Sequence, residues 1–114
     1  MQSVEATAIV IKRLAEPDEH YPLEHGEMQG VDLLGSPVWR SVLRPGWSWD
    51  SDIKAMVGGE SCPETHREYV EAGTVRYLML DGSETIARAG DVLFIPPGHR
   101  AWVVGNDDCI LIDW

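Results

Sequence analysis

Short apolar stretches alternate with glycine- and proline-containing turns along most of this sequence. Their length and their content of β-branched and aromatic residues predict strands, and no stretch combines helical periodicity with helix caps. One stretch, residues 92–95, is apolar at every position, which is typical of a strand buried on both faces. The predicted strands cover residues 30–34, 37–43, 53–57, 67–72, 74–80, 84–88, 92–95, 101–104 and 109–114.

Turn signals separate these strands at regular intervals. Asp81-Gly82 predicts a two-residue hairpin, because both central positions of that turn require positive φ. Turns are also predicted at residues 44–46, 89–91 and 96–98, which contain glycine, proline or both. This density of short strands and turns predicts a small closed or sandwiched all-β domain.

The N-terminal part of the chain has a weaker pattern. Residues 7–11 are β-prone and predict a first strand, at a sheet edge or exchanged with a partner subunit. Residues 16–28 are polar and show neither the helical nor the strand periodicity of apolar residues, so we expect a loop that wraps the surface. His20 and His25 lie in this segment and are predicted to be solvated.

Composition narrows the class of protein. The 114 residues suffice for one domain, and a formal net charge of -10 disfavours binding to nucleic acids and to anionic membranes. The apolar run at residues 8–11 is too short for a signal peptide or a membrane span, so we expect a cytoplasmic protein. In that reducing compartment Cys62 and Cys109 are expected to be free thiols.

Two motifs between residues 58 and 106 resemble those of the cupin superfamily. The frame of the first motif falls on Glu60, Cys62, His66 and Gly73, and that of the second on Gly90, Pro96, Gly98 and Ala101. The resemblance implies a double-stranded β-helix (jelly-roll) cupin barrel over residues 37–114. It assigns residues 1–36 to the same domain as an N-terminal strand and wrapping loop, and it also implies a homodimer.

The positions that hold a divalent ion in metal-binding cupins are altered here. They read Glu60, Cys62, His66 and Ala101, so the three-histidine iron site of cupin oxygenases is absent from its usual places. His99 lies two residues before Ala101 and could reach inward. Cys62, His66 and His99 therefore form a hypothetical open site, with Glu60 or water as fourth ligand, for a divalent transition metal such as zinc, nickel, copper or iron.

Each of these residues also has a simpler interpretation. Cys62 could be a small buried hydrophobe, His66 a histidine hydrogen-bonded to Glu60 or Glu64, and His99 an exposed turn residue. A nucleophilic Cys62–His66 pair is a further alternative, although no oxyanion-hole motif accompanies it.

Tryptophan is unusually frequent, with five residues against one phenylalanine. Trp47 and Trp49 share one face of the chain, where they either pack in the core or form walls of a ligand cavity. Parity alone does not decide which aromatic residues point inward. The predicted pocket contains Trp47, Trp49, Cys62, His66, Tyr69, Phe94 and Trp102.

Three functions are consistent with the cupin-like motifs, the altered metal positions and the tryptophan residues. The first is binding of a small organic ligand, with or without a metal held by Cys and His, in a sensing or regulatory role. The second is a metal-dependent enzyme, an isomerase, decarboxylase or oxygenase acting on a small polar metabolite. The third is a structural module for dimerisation, in which an exposed N-terminal strand adds to a partner's sheet edge.

Overall fold

The computed structural model describes residues 7–114, which form nine strands and one short helical segment. A π-helical turn, Trp49–Ile53, continues into the short helix α1, Lys54–Val57. No helix in residues 7–114 is long and apolar enough to cross a bilayer. The strands are β1 Glu19–Leu23, β2 Gly26–Leu33, β3 Ser36–Leu43, β4 His66–Ala72, β5 Thr74–Met79, β6 Glu84–Arg88, β7 Val92–Ile95, β8 His99–Val103 and β9 Cys109–Asp113.

The strands form two antiparallel sheets that share one core. The larger sheet has the order β1-β2-β3-β9-β4-β7, and the smaller has the order β6-β5-β8. Leu43, Val70 and Cys109 of the larger sheet and Val75 of the smaller sheet are fully buried in the same cluster. The predicted all-β fold is confirmed, and two facing antiparallel sheets are the arrangement of a jelly roll.

Alternation along β4 decides which side chains reach the core. Glu68 and Val70 are buried and His66 is half-buried, whereas Arg67 and Tyr69 face outward. Gly73 follows the last residue of the strand and has a φ of 79°. A Cβ atom there would lie 2.7 Å from the Cα atom of Cys109, so only glycine allows β4 to turn into β5 so close to β9.

The N-terminal predictions are wrong in two places. Residues 7–11 form no strand, and Ile9 is 90% exposed. Residues 16–28 are not a loop, because β1 and β2 form a hairpin there with Leu23 paired to Gly26. The hairpin lacks a hydrophobic alternation because β1 is an edge strand, where proline and polar residues are tolerated.

Two further elements differ from the prediction. The predicted strand at residues 53–57 is helical, because the side chain of Ser48 caps the preceding turn by accepting the backbone N–H of Ser51 at 3.0 Å. The β7 strand is not buried on both faces, since Val92 is 69% and Phe94 is 60% exposed. Its apolar residues lie on the outer edge of the larger sheet.

A buried carboxylate joins the helical segment to the β1–β2 turn. Asp52 accepts the backbone N–H of His25 at 2.6 Å, the Nδ1–H of His25 at 2.9 Å and the hydroxyl of Ser51. Burial alone would raise the pKa of Asp52, but the hydrogen bonds from Ser51 and His25 outweigh it and lower the pKa below 3.8. His25 is therefore a half-buried structural residue, and the prediction that it is solvated is wrong, whereas His20 is exposed.

Asp52→Ala should destabilise the protein by about 2–3 kcal/mol at neutral pH, because it leaves buried donors without an acceptor. Asp50→Ala is the matched control: Asp50 lies in the same turn, and its exposed pairing with Arg100 at 3.6 Å should contribute less than about 1 kcal/mol. Urea unfolding measures both. The loss of unfolding free energy in Asp52→Ala should shrink as the pH falls below 3.8, because the Asp52 carboxylate of the wild type then becomes protonated and stabilises the folded state less. Equal losses in the two variants would contradict this role.

Candidate functional site

Cys62, His66 and His99 meet at the wall of an internal cavity. One donor atom from each lies within 4.8 Å of the other two, and Cys62 Sγ is 3.6 Å from His66 Nε2. The two imidazole rings contact each other edge to face, with centroids 5.0 Å apart. Ligands of one tetrahedral zinc ion lie roughly 3.3–3.8 Å apart, so this cluster has nearly the spacing of a metal site.

The backbone places each of these side chains. Cys62 lies in the loop before β4 and forms two backbone hydrogen bonds with the start of β8: its N–H donates to the carbonyl of His99, and its carbonyl accepts the N–H of Gly98, each at 2.9 Å. His99 is the first residue of β8 and His66 the first of β4. The alternative in which His99 is an exposed turn residue is wrong, because it is only 4% exposed.

The second ring nitrogen of each histidine also has a neighbour. His99 Nδ1 donates to the carbonyl oxygen of Pro96 at 2.8 Å, which leaves its Nε2 free to act as a ligand. His66 Nδ1 lies 3.8 Å from Asp113 Oδ1. His66 thus lies between the thiol of Cys62 and a carboxyl group. Within residues 7–114 it forms no hydrogen bond with Glu60 or Glu64, the partners that the simpler interpretation gave it.

Burial sets the protonation of these groups. Desolvation lowers the pKa of His66 below 6.5, and Glu68 opposes this shift. Desolvation also raises the pKa of Cys62 above 9.0. The imidazole is therefore neutral and ready to bind a metal at neutral pH, whereas the thiol keeps its proton until a cation displaces it. A protonated thiol is a poor nucleophile, so the Cys62–His66 distance alone does not create a reactive pair.

A second group of ionisable side chains adjoins the first. Donor atoms of His66, Glu68 and Asp113 also lie within 4.8 Å of one another, and the buried Tyr77 hydroxyl donates to Glu68. Burial raises the pKa of Asp113 to about 9, and its hydrogen bond and proximity to Glu68 add to the effect. The raised pKa favours the protonated carboxylic acid of Asp113 at neutral pH.

Glu68, Tyr77 and Asp113 match no motif in the sequence and were not predicted as site residues. Glu68 and Asp113 could have been found from strand periodicity, because residues two apart on a strand face the same side of the sheet. Glu68 follows His66 by two residues on β4, and Asp113 follows the buried Leu111 by two residues on β9.

The cavity has a volume of about 120 Å³. An outer cleft of about 300 Å³, which Trp39 and Trp114 help to form, shares His66 and Asp113 with it. Trp47 and Trp49 both line the cavity, together with Met28, Ser41, Leu43, Ile53, Cys62, His66, Glu68, Val75, Tyr77, His99, Ala101, Leu111 and Asp113.

Four residues of the predicted site lie elsewhere. Tyr69 and Phe94 face outward, because their strand neighbours Val70 and Ile95 take the inward positions. Trp102 follows the inward Ala101 and lies on the outside of the smaller sheet, near the guanidinium groups of Arg76 and Arg100.

Glu60 is the fourth of these residues. It is exposed in the loop before Cys62 and does not belong to the cluster of donor atoms.

No protein-family profile and no curated protein matches the sequence. Solved structures do match. Oxalate decarboxylase of Lactobacillus farciminis aligns with 96% of this chain and 33% of its own, with a TM-score of 0.65 and 17% identity. Oxalate decarboxylase of Bacillus subtilis aligns with 89% of this chain and 28% of its own, with a TM-score of 0.65 and 22% identity. The Bacillus enzyme has Mn(II) centres.

A third match differs in function. The capsular polysaccharide assembling protein CapF of Staphylococcus aureus aligns with 82% of this chain and 28% of its own, with a TM-score of 0.53 and 18% identity. The present chain thus spans about a third of the length of these proteins. At such identities the likeness is one of fold, and the chain has the cupin fold that its two sequence motifs predicted.

Proposed function

We propose that this protein binds a divalent transition metal ion, best matched by zinc, through Cys62, His66 and His99, and that it binds a small organic ligand beside that ion. The observation that carries the proposal is the convergence of one sulfur and two imidazole donors within 4.8 Å at the wall of a cavity. The resulting role is ligand-dependent sensing or regulation.

The chemistry of the donor set supports zinc. Thiolate and imidazole are its usual protein ligands, and three protein ligands are the number found at sites that keep a position for water or substrate. The carbonyl of Pro96 orients His99 as outer-shell acceptors do in known metal sites. When bound, such an ion polarises oxygen atoms of a ligand.

Removing the thiol should greatly weaken metal binding. We expect wild-type protein, freed of metal with a chelator, to take up one equivalent of cobalt(II) and to develop a thiolate-to-cobalt charge-transfer band. Cys62→Ala should lose the band and weaken binding by more than the roughly 10- to 100-fold that loss of an outer-shell partner costs. Cys109→Ala is the matched control, because Cys109 is also buried but does not belong to the cluster.

Two results would refute the metal site. One is uptake below about a tenth of an equivalent by the wild type, well short of the single ion that one site holds. The other is an identical titration for Cys62→Ala and the wild type.

Metal affinity should rise with pH. The raised pKa of Cys62 means that binding releases the thiol proton, so affinity should increase by about tenfold per pH unit between about pH 7 and 8.5. The lowered pKa of His66 means that this residue adds nothing to the slope above pH 6.5. Calorimetry in buffers of different ionisation enthalpy measures the number of protons released when zinc binds. An affinity for zinc that is constant over this interval would exclude Cys62 as a ligand.

A metal-dependent enzyme is the second candidate function, and the cluster beside His66 favours it. Asp113 carries a proton at neutral pH, and it faces the cavity next to Glu68 and Tyr77. A carboxylic acid so placed can deliver a proton to a carbanion, as an isomerase or a decarboxylase requires. In a decarboxylation, the electron pair of the broken C–C bond would take the Asp113 proton as CO₂ leaves. The fold shared with oxalate decarboxylases agrees with this candidate.

The protonation of Asp113 has a measurable effect on stability. Because its pKa rises from 3.8 to about 9, folding takes up a proton, and its contribution to stability falls as the pH rises through that interval. In metal-free protein, Asp113→Asn should flatten the pH dependence by up to about 1.4 kcal/mol per pH unit between about pH 6 and 8. Asp107→Asn, at an exposed position, is the control. Parallel stability curves for Asp113→Asn and the wild type, from urea unfolding, would show that Asp113 is ionised.

A further inference from the structure

Two buried indole N–H groups have no acceptor. Trp47 is 8% and Trp49 is 3% exposed, and their Nε1 atoms have no hydrogen-bond partner among residues 7–114. Both residues line the internal cavity. Buried donors are almost always paired, so two unpaired donors on residues that line one small cavity point to an acceptor within it.

The backbone holds both tryptophans in place. The carbonyl of Trp47 accepts the N–H of Val103 at 3.1 Å, and its N–H donates to the carbonyl of Arg44 at 3.0 Å. Ser48, between the two tryptophans, forms a bridge with Trp102 of β8. Trp49 begins the π-helical turn that the Ser48 side chain caps. These bonds fix the backbone on both sides of the two tryptophans, so the indole rings start from fixed Cα positions.

The size of the cavity limits what this acceptor can belong to. A volume of about 120 Å³ is somewhat less than the roughly 150 Å³ of an engineered cavity that binds benzene, so the cavity accommodates a molecule of about six non-hydrogen atoms. Leu43, Val75 and Leu111 provide apolar surface against which a carbon skeleton packs.

Charge selects among such molecules. The carboxyl groups of Glu68 and Asp113 line the same cavity, and the chain has a net charge of -10. In the metal-free cavity, where no cation compensates the existing charge, a second carboxylate would be repelled. An uncharged acceptor, such as the oxygen of a ketone, aldehyde or amide, avoids this repulsion.

We infer that the cavity binds a compact, uncharged carbonyl compound, whose oxygen accepts hydrogen bonds from the indole N–H groups of Trp47 and Trp49. The inference deepens the proposed ligand-binding function and rests on it, because it names the class of ligand. It does not require the metal ion, since neither indole is a metal ligand.

Cyclopentanone tests the inference, with methylenecyclopentane as an apolar analogue of the same shape. In ¹H–¹⁵N spectra of wild-type protein labelled at tryptophan, cyclopentanone should move the indole proton signals of Trp47 and Trp49 downfield in a saturable manner. The signals of Trp39, Trp102 and Trp114 should stay in place. Assignment on the wild-type protein makes this result independent of the folding of any variant.

Variants measure the contribution of each donor. Trp47→Phe and Trp49→Phe should each weaken cyclopentanone binding by about fivefold, as expected for the loss of one hydrogen bond. Trp102→Phe is the matched control, because Trp102 lies on the outside of the smaller sheet and should leave the affinity unchanged.

Two outcomes would overturn the inference. The first is equal binding of both probes with no movement of the two indole signals. The second is persistent magnetisation transfer from bound water to both indole protons at saturating cyclopentanone, which would show that water alone satisfies them. Titrations with and without one equivalent of cobalt separate this result from the metal proposal, because failure of the metal site appears in the cobalt spectrum and leaves the indole signals readable.

Discussion

The site depends on one pair of backbone hydrogen bonds between elements that belong to different sheets. The loop at Cys62 leads into β4 of the larger sheet, and His99 opens β8 of the smaller sheet. The two bonds that link Cys62 with Gly98 and His99 bring these elements together. His66 begins β4 only four residues later, so the same backbone link also positions His66. Backbone pairing therefore determines where the functional side chains meet.

Exclusion from water is the common cause of the electrostatic properties around this link. It lowers the pKa of His66, raises that of Cys62 and raises that of Asp113. Each shift favours the uncharged form, as expected where charges lose their hydration. A cation that enters such a region changes the balance, because it can replace the thiol proton with its own charge. The donor atoms of the cluster thus lie in a region that favours uncharged side chains, and the same atoms are suitable ligands for a dication.

The sequence predicted most strands of the barrel and the residues of the central cluster. Glycine and proline positions defined the turns from Gly73 to Gly98, and the motif frame identified Cys62 and His66. Period two, however, groups residues by face without saying which face is inside, and Tyr69, Phe94 and Trp102 were assigned to the wrong side for this reason. The β1–β2 hairpin was missed because a polar edge strand carries no hydrophobic alternation.

The proton on Asp113 has a consequence for how the whole molecule behaves in an electric field. Because the pKa of Asp113 is raised to about 9, we expect the folded chain at neutral pH to hold one proton more than its formal count, which makes its charge one unit less negative than -10. A dication that displaced the Cys62 proton would remove one further negative unit. Electrophoretic mobility towards the anode therefore reports how the interior is protonated, and it distinguishes the folded chain from the unfolded one.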